Sequence, residues 1–164
     1  IAIGIGICTG EVVAGNIGSP KRFDYTAIGD HVNISARLES ATKQYGVDIL
    51  VSEFTVAALT GDHLLREIDL IRVKGKNRPV RVYEAMNHCS DADSPQFQRF
   101  LELYTLGLAA KRRRAWAEAI NTFEQALKIR PRDKTTQIHR DRCRNYAESP
   151  PPEDWDGVWT MASK

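Results

Sequence analysis

The stretch Tyr25–Glu39, YTAIGDHVNISARLE, sets the fold of this 164-residue chain. A short β-type run, Tyr25–Gly29, ends at a Gly-Asp pair and gives way to a helix, where Asp30 is placed to accept hydrogen bonds from the first free N–H groups. Four residues on this helix recur at the spacing of one buried stripe: Ile34, Leu38, Ala41 and Tyr45. The pattern therefore predicts a strand, a tight turn and an amphipathic helix.

Two polar residues lie on the flank of the predicted stripe. Asn33 and Arg37 are four residues apart, so they project one turn above each other from the helix. An amide beside a guanidinium suits an anionic ligand, because the amide can orient it through a hydrogen bond and the guanidinium can pair with its negative charge. The alternative is that Arg37 pairs with a neighbouring carboxylate and that Asn33 is an ordinary surface residue. The spacing alone leaves both interpretations open.

The segments around this helix predict an α+β fold, in which helices pack on a sheet that contains antiparallel strands. Ile1–Cys8 is expected to be a buried strand whose glycines let another backbone approach, and Glu11–Ile17 is expected to return beside it as a hairpin. Ser52 is placed to cap a short helix. Further strands are predicted at Asp48–Val51, Leu64–Val73 and Val80–Met86.

Two longer stretches carry a family resemblance: GIGICTGEVVAGNIGSPKRFDYTAIGDHVNISARLE at residues 4–39 and VKGKNRPVRVYE at residues 73–84. Their glycines and polar residues fall in the order found in the later half of the catalytic domain of class III nucleotidyl cyclases, the adenylate and guanylate cyclases. The resemblance is closest to the bacterial adenylate cyclase branch. It implies that residues 1–86 form the later part of a ferredoxin-like βαββαβ core.

The resemblance also implies a reaction. In the family, the ribose 3′-hydroxyl of ATP attacks its own α-phosphorus, expels pyrophosphate and gives cyclic AMP. By position in the motif, Arg37 matches the arginine that stabilises charge on the α-phosphoryl group. Asn33 matches the asparagine that orients the ribose. Both are therefore predicted to be catalytic residues.

Substrate-binding residues follow from the same resemblance. Thr26, with Ala27 and Ile28 beside it, matches the position that contacts the purine edge. Lys74 matches the lysine that meets the terminal phosphates, and Lys76 is close enough to share that role. A hydroxyl at position 26 resembles the bacterial adenylate cyclases, whereas guanylate cyclases usually have Cys there. ATP is the expected substrate, and guanylate cyclase activity is the alternative.

The family uses two divalent cations, Mg²⁺ or Mn²⁺, held by two aspartates. Asp24, Asp30 and Asp48 do not stand in the matching motif, so these ligands are expected upstream of Ile1. The family site forms between the subunits of a head-to-tail dimer. We therefore expect a homodimeric adenylate cyclase for the full-length protein and no activity for this chain alone. A catalytically silent interaction protein with a cyclase fold is the alternative.

Beyond a turn-rich linker at residues 87–95 the sequence becomes helical, with Gly and Ala at the spacing of a tetratricopeptide repeat. Helices are predicted at Pro95–Arg112 and Ala115–Ile129, with Asp133–Ala147 as a capping segment, in a unit that spans residues 96–148. A single repeat buries little surface by itself. It is therefore expected to dock on the cyclase domain or to bind a peptide.

Two features of the C-terminal part stand out. Lys111–Arg114, KRRR, is expected to be a solvated turn or a match to a helix dipole, and no nucleic-acid partner is predicted from it. The tail, residues 149–164, carries Trp155 and Trp159. Because large apolar groups rarely stay in water without a reason, this tail is expected to dock on the repeat or on the catalytic domain.

The composition is that of a globular protein. Hydrophobic residues make up 42% of the chain, charged residues make up 27%, and a net charge of +2 predicts no strong polyanion partner. No apolar run approaches the length of a membrane span. The three widely spaced cysteines fit reduced thiols, and the Cys and His spacing is not that of a metal site. A cytoplasmic location is the expectation.

Overall fold

The computed structural model of this chain describes residues 3–19, 22–72 and 78–160. Its strands are β1 (Ile5–Ile7), β2 (Val13–Ser19), β3 (Arg22–Ile28), β4 (Ile49–Ser52), β5 (Leu65–Arg72), β6 (Val80–Ala85) and β7 (Trp159–Thr160). Its helices are α1 (Asp30–Tyr45), α2 (Glu53–Val56), α3 (Pro95–Arg112), α4 (Trp116–Ile129) and α5 (Lys134–Glu148). The predicted α+β class is confirmed.

Within the described ranges the strands form one larger sheet and one hairpin. The sheet has the order β1-β4-β6-β5-β7. Strands β1 and β4 are parallel, as are β5 and β7. Strand β6 lies between β4 and β5 and is antiparallel to both. The ferredoxin-like arrangement expected for the whole domain stays a prediction, as does the domain boundary at residue 86.

Helix α1 packs directly on β1 through a glycine. A Cβ atom on Gly6 would lie 2.2 Å from the carbonyl oxygen of Ser35 and 2.4 Å from the nitrogen of Glu39, so a side chain there would collide with the helix backbone. The predicted glycine face of this strand is confirmed, but the prediction that the strand is buried was wrong, because Ile5 is 44% exposed and Ile7 is 40% exposed. The predicted apolar stripe is confirmed as well, because its members are buried beneath the helix: Ile34, Leu38, Ala41 and Tyr45.

Strand β2 forms its hairpin with β3, so the prediction that it pairs with β1 was wrong. The turn that follows β1 leads towards α2, where the backbone N–H of Thr9 donates to the hydroxyl of Thr55 over 2.8 Å. This contact carries the chain away from the edge of β1. The glycine face meanwhile holds β1 beneath α1, where it pairs with β4.

The prediction that Asp30 caps α1 was wrong, whereas the prediction that Ser52 caps α2 is confirmed. Gly29 occupies the N-cap position of α1, and Asp30 is the first residue of the helix itself. Asp30 therefore acts as an acidic residue of the first turn, where its charge favours the positive end of the helix dipole. Ser52 caps α2 as predicted, since its hydroxyl accepts from the N–H of Thr55 at 3.3 Å.

A β-bulge in β5 joins the sheet to the C-terminal helices. The register shifts between Glu67 and Asp69, and as a result the successive residues Ile68 and Asp69 are both buried. The Tyr104 hydroxyl donates to the Glu67 carbonyl oxygen at 2.8 Å. His139 Nε2 donates to the Ile68 carbonyl oxygen, also at 2.8 Å. The bulge thus supplies acceptors that fix α3 and α5 against the sheet.

The C-terminal helices form within one or two residues of their predicted bounds, and helices α3 and α4 pack as a hairpin. A Cβ atom on Gly107 would lie 2.5 Å from the ring of Phe123, so this close helix contact requires glycine. Helices α3 and α5 contact β5, while the tetratricopeptide assignment and the docking role of the repeat stay predictions. None of the helices in the described part of the chain has the length and apolarity needed to cross a membrane.

The tail docks through its two tryptophans, which confirms the predicted docking. The ring of Trp155 lies 5.6 Å from that of Trp116 and 5.2 Å from that of Tyr146. Trp159 belongs to β7, and the guanidinium of Arg142 lies 3.6 Å from the centre of its ring. The tail therefore contacts both the helical hairpin and the edge of the sheet.

Removing residues 150–164 should lower the melting temperature. Loss of two half-buried tryptophans costs about 2 kcal/mol, which for a domain of this size corresponds to roughly 4–8 °C. Thermal unfolding of the truncated chain measures the shift. A double Glu153→Ala and Asp154→Ala variant is the control, because both side chains are exposed. An unchanged melting temperature on truncation would show that the tail contributes nothing to stability.

Candidate active site

Helix α1 presents Asn33 and Arg37 on one side, one turn apart. Asn33 is exposed and Arg37 is half-buried. Within residues 3–19, 22–72 and 78–160, neither the amide nor the guanidinium makes a hydrogen bond or a salt bridge. The alternative interpretation, in which Arg37 pairs with a neighbouring carboxylate, is therefore not supported in this part of the chain. Both groups remain available to a ligand.

The stretch of α1 that carries these two residues is anchored to the sheet. The hydroxyl of Ser35, which lies between Asn33 and Arg37 in the sequence, donates to the carbonyl oxygen of Gly6 at 2.7 Å. Leu38, the next residue after Arg37, is fully buried in the core. The backbone beneath the two polar groups is thus held on both sides, which preorganises them.

The predicted purine-contact residues lie on β3, immediately before α1. Thr26 pairs with Gly15 across the hairpin and is exposed, and Ala27 is half-buried. Ile28 ends the strand with 53% of its surface exposed. Only Gly29 separates the strand from α1, so these three residues and Asn33 come from one continuous strand–helix junction.

The two predicted phosphate-contact residues, Lys74 and Lys76, lie outside the described residues. The strand that leads to them, β5, ends at Arg72, and the strand that follows, β6, begins at Val80. Their roles stay predictions.

The far end of α1 is supported by a buried carboxylate. The hydroxyl of Tyr45, the last residue of the helix, donates to Asp69 Oδ2 at 2.8 Å. Arg142 pairs with the same oxygen, and Lys111 Nζ lies 3.8 Å from Asp69 Oδ1. Side chains from α1, α3 and α5 thus converge on one strand residue.

Burial and charge set the protonation of this cluster. Burial raises the pKa of the Asp69 carboxyl, but the surrounding His139, Lys111 and Arg142 lower it by more, and the net pKa lies below its usual range. Burial, together with the charge of Lys111, lowers the pKa of His139 to about 3. The imidazole is therefore neutral at pH 7, with Nε2–H donating to the sheet and Nδ1 facing Lys111 Nζ at 3.2 Å.

Of the two expectations for the basic run Lys111–Arg114, the match to a helix dipole is confirmed for Lys111 and Arg112, which lie in the last turn of α3, whereas a solvated turn is wrong for Lys111. Lys111 is only 5% exposed and faces His139 in the interior. Arg112 pairs with Glu67 on the sheet. Lys111 and Arg112 thus face acidic groups on β5, whereas Arg113 pairs with Glu118 on α4.

Among the described residues, no three His, Cys, Asp or Glu side chains gather closely enough to hold a metal ion. The side chains described here therefore do not fit a two-cation site. Asp24, Asp30 and Asp48 lie on three different elements: β3, the first turn of α1 and the segment before β4.

The motif order and the strand–helix junction define a known class of protein. A family model described as the adenylate and guanylate cyclase catalytic domain matches residues 1–86, just over half of the chain. The chain therefore belongs to the adenylate and guanylate cyclase family.

Particular relatives carry the name adenylate cyclase. "Adenylate cyclase, terminal-differentiation specific" of Dictyostelium discoideum is 32% identical over 146 residues, which are 87% of this chain and 7% of the relative. The adenylate cyclase of Anabaena cylindrica is 46% identical over 87 residues, 51% of this chain and 17% of the relative. The chain thus spans less than a fifth of either relative. The similarity to the Dictyostelium protein also continues beyond the 86 residues of the family match.

Among solved structures, the crystal structure of the adenylyl cyclase CyaB from P. aeruginosa is 38% identical. The match covers 52% of this chain and 43% of that chain, with a TM-score of 0.44.

The buried residues that hold the C-terminal end of α1 were not predicted from the sequence. Asp69 lies in the apolar run IDLI, and a carboxylate in such a run is a signal that it has buried partners. His139 and Thr135 lie on the segment that was predicted only as a capping helix, yet both are fully buried. Nothing in the local pattern shows that this helix packs against the end of α1.

Acid should destabilise the fold through His139. The folded-state pKa is about 3 and the unfolded value is about 6.5, so below pH 6.5 the unfolded chain takes up the proton first. The free energy of unfolding should fall by about 1.4 kcal/mol for each pH unit between pH 6 and pH 4 from this group. Urea unfolding at pH 6, 5 and 4 measures the slope.

A His139→Gln variant keeps a donor and an acceptor but does not titrate, so its slope should be shallower. His63→Gln is the matched control, because it removes a histidine that is exposed and lies outside the buried cluster. Equal slopes for the natural chain and His139→Gln would contradict this assignment.

Proposed function

We propose that the full-length protein containing this chain is an adenylate cyclase that converts ATP to cyclic AMP and pyrophosphate. The observation that carries the proposal is the pair Asn33 and Arg37. Both lie within the matched residues 1–86, at the positions to which the resemblance assigns catalytic roles, and within the described ranges neither side chain has a hydrogen-bond or salt-bridge partner. A polar pair that the fold leaves free, on a helix that the fold anchors, is suited to a ligand.

The chemistry needs alignment and charge stabilisation more than it needs a reactive side chain. A bond forms between the ribose 3′-oxygen and the α-phosphorus, and the bond from that phosphorus to the bridging oxygen of pyrophosphate breaks. Negative charge grows on the non-bridging oxygens of the α-phosphoryl group as this happens. The Arg37 guanidinium would stabilise that charge, and the Asn33 amide would hold the ribose so that its 3′-oxygen attacks in line.

Thr26 supports ATP as the substrate. Its hydroxyl is exposed at the end of β3 and can both donate and accept a hydrogen bond at a purine edge, with Ala27 and Ile28 beside it. Lys74 and Lys76 would meet the terminal phosphates. Divalent cations would neutralise the triphosphate in the whole enzyme, with ligands outside the residues described here.

Exposed apolar side chains around the hairpin support a homodimer. On the hairpin, Val13 and Tyr25 are each more than 70% exposed, and Ile28, which pairs with Val13, is 53% exposed. Exposed apolar residues on the strand that also carries Thr26 are typical of a surface that another subunit covers. The proposed active site would then lie between two subunits.

Replacing Arg37 tests the proposal directly. In the full-length protein, Arg37→Ala should lower kcat for cyclic AMP formation by about 100-fold or more, because a positive charge that stabilises the transition state is lost. Lys43→Ala is the matched control, since it removes a positive charge from an exposed position of the same helix. Undiminished turnover in Arg37→Ala would show that the family likeness is only architectural.

Replacing Thr26 tests the substrate. Thr26→Cys should shift the ratio of kcat/KM for ATP to that for GTP towards GTP by about tenfold, because the hydroxyl that contacts the adenine edge is replaced. Steady-state rates with both nucleotides measure this ratio. An unchanged ratio would remove Thr26 from the purine site.

A further inference from the structure

Helix α5 caps the C-terminal end of α1, although the two helices are about 90 residues apart in the sequence. The Thr135 hydroxyl donates to the carbonyl oxygen of Tyr45 at 3.0 Å in a fully buried contact. Lys134 Nζ donates to the carbonyl oxygen of Lys43 at 2.8 Å. The last carbonyl groups of a helix have no partner within the helix, so these side chains satisfy groups that would otherwise be left unpaired.

The contact is closely packed as well as hydrogen-bonded. Gly46 follows the last residue of α1 as its C-cap and adopts a left-handed conformation with φ +69°, and a Cβ atom there would lie 2.8 Å from Lys134 Cβ. The first turn of α5 is itself fixed, because Asp133 caps it by accepting from the N–H of Thr136 at 2.8 Å. Thr135 therefore sits in a rigid turn aimed at the end of α1.

This contact bears on the active site because α1 is a single rigid element. Arg37 lies eight residues before Tyr45, or about 12 Å along the helix axis. The other end of that span is tied to β1 by Ser35, and the Tyr45 end is tied to the sheet by Asp69. A shift at the Tyr45 end would therefore tilt the segment that carries Arg37.

We propose that Thr135 is a positioning residue for the cyclase reaction, acting by holding the end of α1 so that Arg37 meets the α-phosphoryl group. The inference rests on the proposed function, because it assigns a role in that same site. It makes the C-terminal helices part of the catalytic unit and gives a reason for their docking on the sheet.

The test replaces one hydroxyl in the full-length protein. Thr135→Val keeps the shape of the side chain and removes the donor, whereas Thr135→Ser keeps the donor. Thr122→Val is the matched control, because the Thr122 hydroxyl also donates to a helix carbonyl oxygen, that of Glu118, but within α4 and away from α1. Rates of cyclic AMP formation give kcat and KM, and hydrogen exchange reports the amides of residues 42–46.

Thr135→Val should lower kcat by about tenfold while KM for ATP changes by less than about twofold, because the loss falls on alignment in the transition state. Exchange at residues 42–46 should rise at least about tenfold, since the end of the helix is released. Thr135→Ser should restore both values towards those of the natural protein, and Thr122→Val should change neither.

The outcomes separate this inference from the proposed function. If Thr135→Val raises exchange but keeps kcat while Arg37→Ala loses activity, the positioning role is wrong and the cyclase proposal stands. If Thr135→Val leaves exchange unchanged, the cap is not formed and the inference is wrong. If the natural protein makes no cyclic AMP, the proposed function fails, and the positioning role fails with it.

Discussion

Asp69 is 5% exposed, and its carboxylate receives the hydroxyl of Tyr45 from α1, the ammonium of Lys111 from α3 and the guanidinium of Arg142 from α5. A charge at this depth is tolerated only when it is paired and hydrogen-bonded. Removing one partner of such a group leaves an uncompensated charge and typically costs about 3–5 kcal/mol. Three helices are therefore bound to one strand residue, and the packing of each depends on the other two.

The β-bulge explains why the helices dock where they do. An extra residue at Ile68 turns Asp69 inward and leaves carbonyl groups of β5 to be satisfied by side chains, which Tyr104 and His139 supply. Neutral His139 can bridge β5 and α3. Its Nε2–H donates to the Ile68 carbonyl oxygen, and its Nδ1 faces the ammonium of Lys111. The cyclase-family segment and the C-terminal helices consequently share one buried polar network, as well as apolar contacts such as that of Ile138 with the core.

The two ends of helix α1 have different roles. Its first half carries Asn33 and Arg37, whose side chains have no hydrogen-bond or salt-bridge partner among the described residues, while its last turn contacts β5 and α5. Preorganised polar groups cost little reorganisation when a charged transition state forms, and such groups need rigid support. The fold supplies that support from residues far along the chain, which is the physical basis for treating the helices as part of the active site.

The sequence by itself determined the elements whose signals are local. Periodicity predicted α1 with its buried stripe, the glycine spacing predicted the close approach at Gly6, and the motif order predicted Asn33 and Arg37 as the candidate site. Only the tertiary structure showed which strands pair and which charges are buried. Strand β2 pairs with β3, and Lys111 lies in the interior. Those outcomes depend on contacts between groups such as Asp69 and Arg142, 73 residues apart. Local pattern carries no information about such partners, because burial and pairing exist only once the chain has folded.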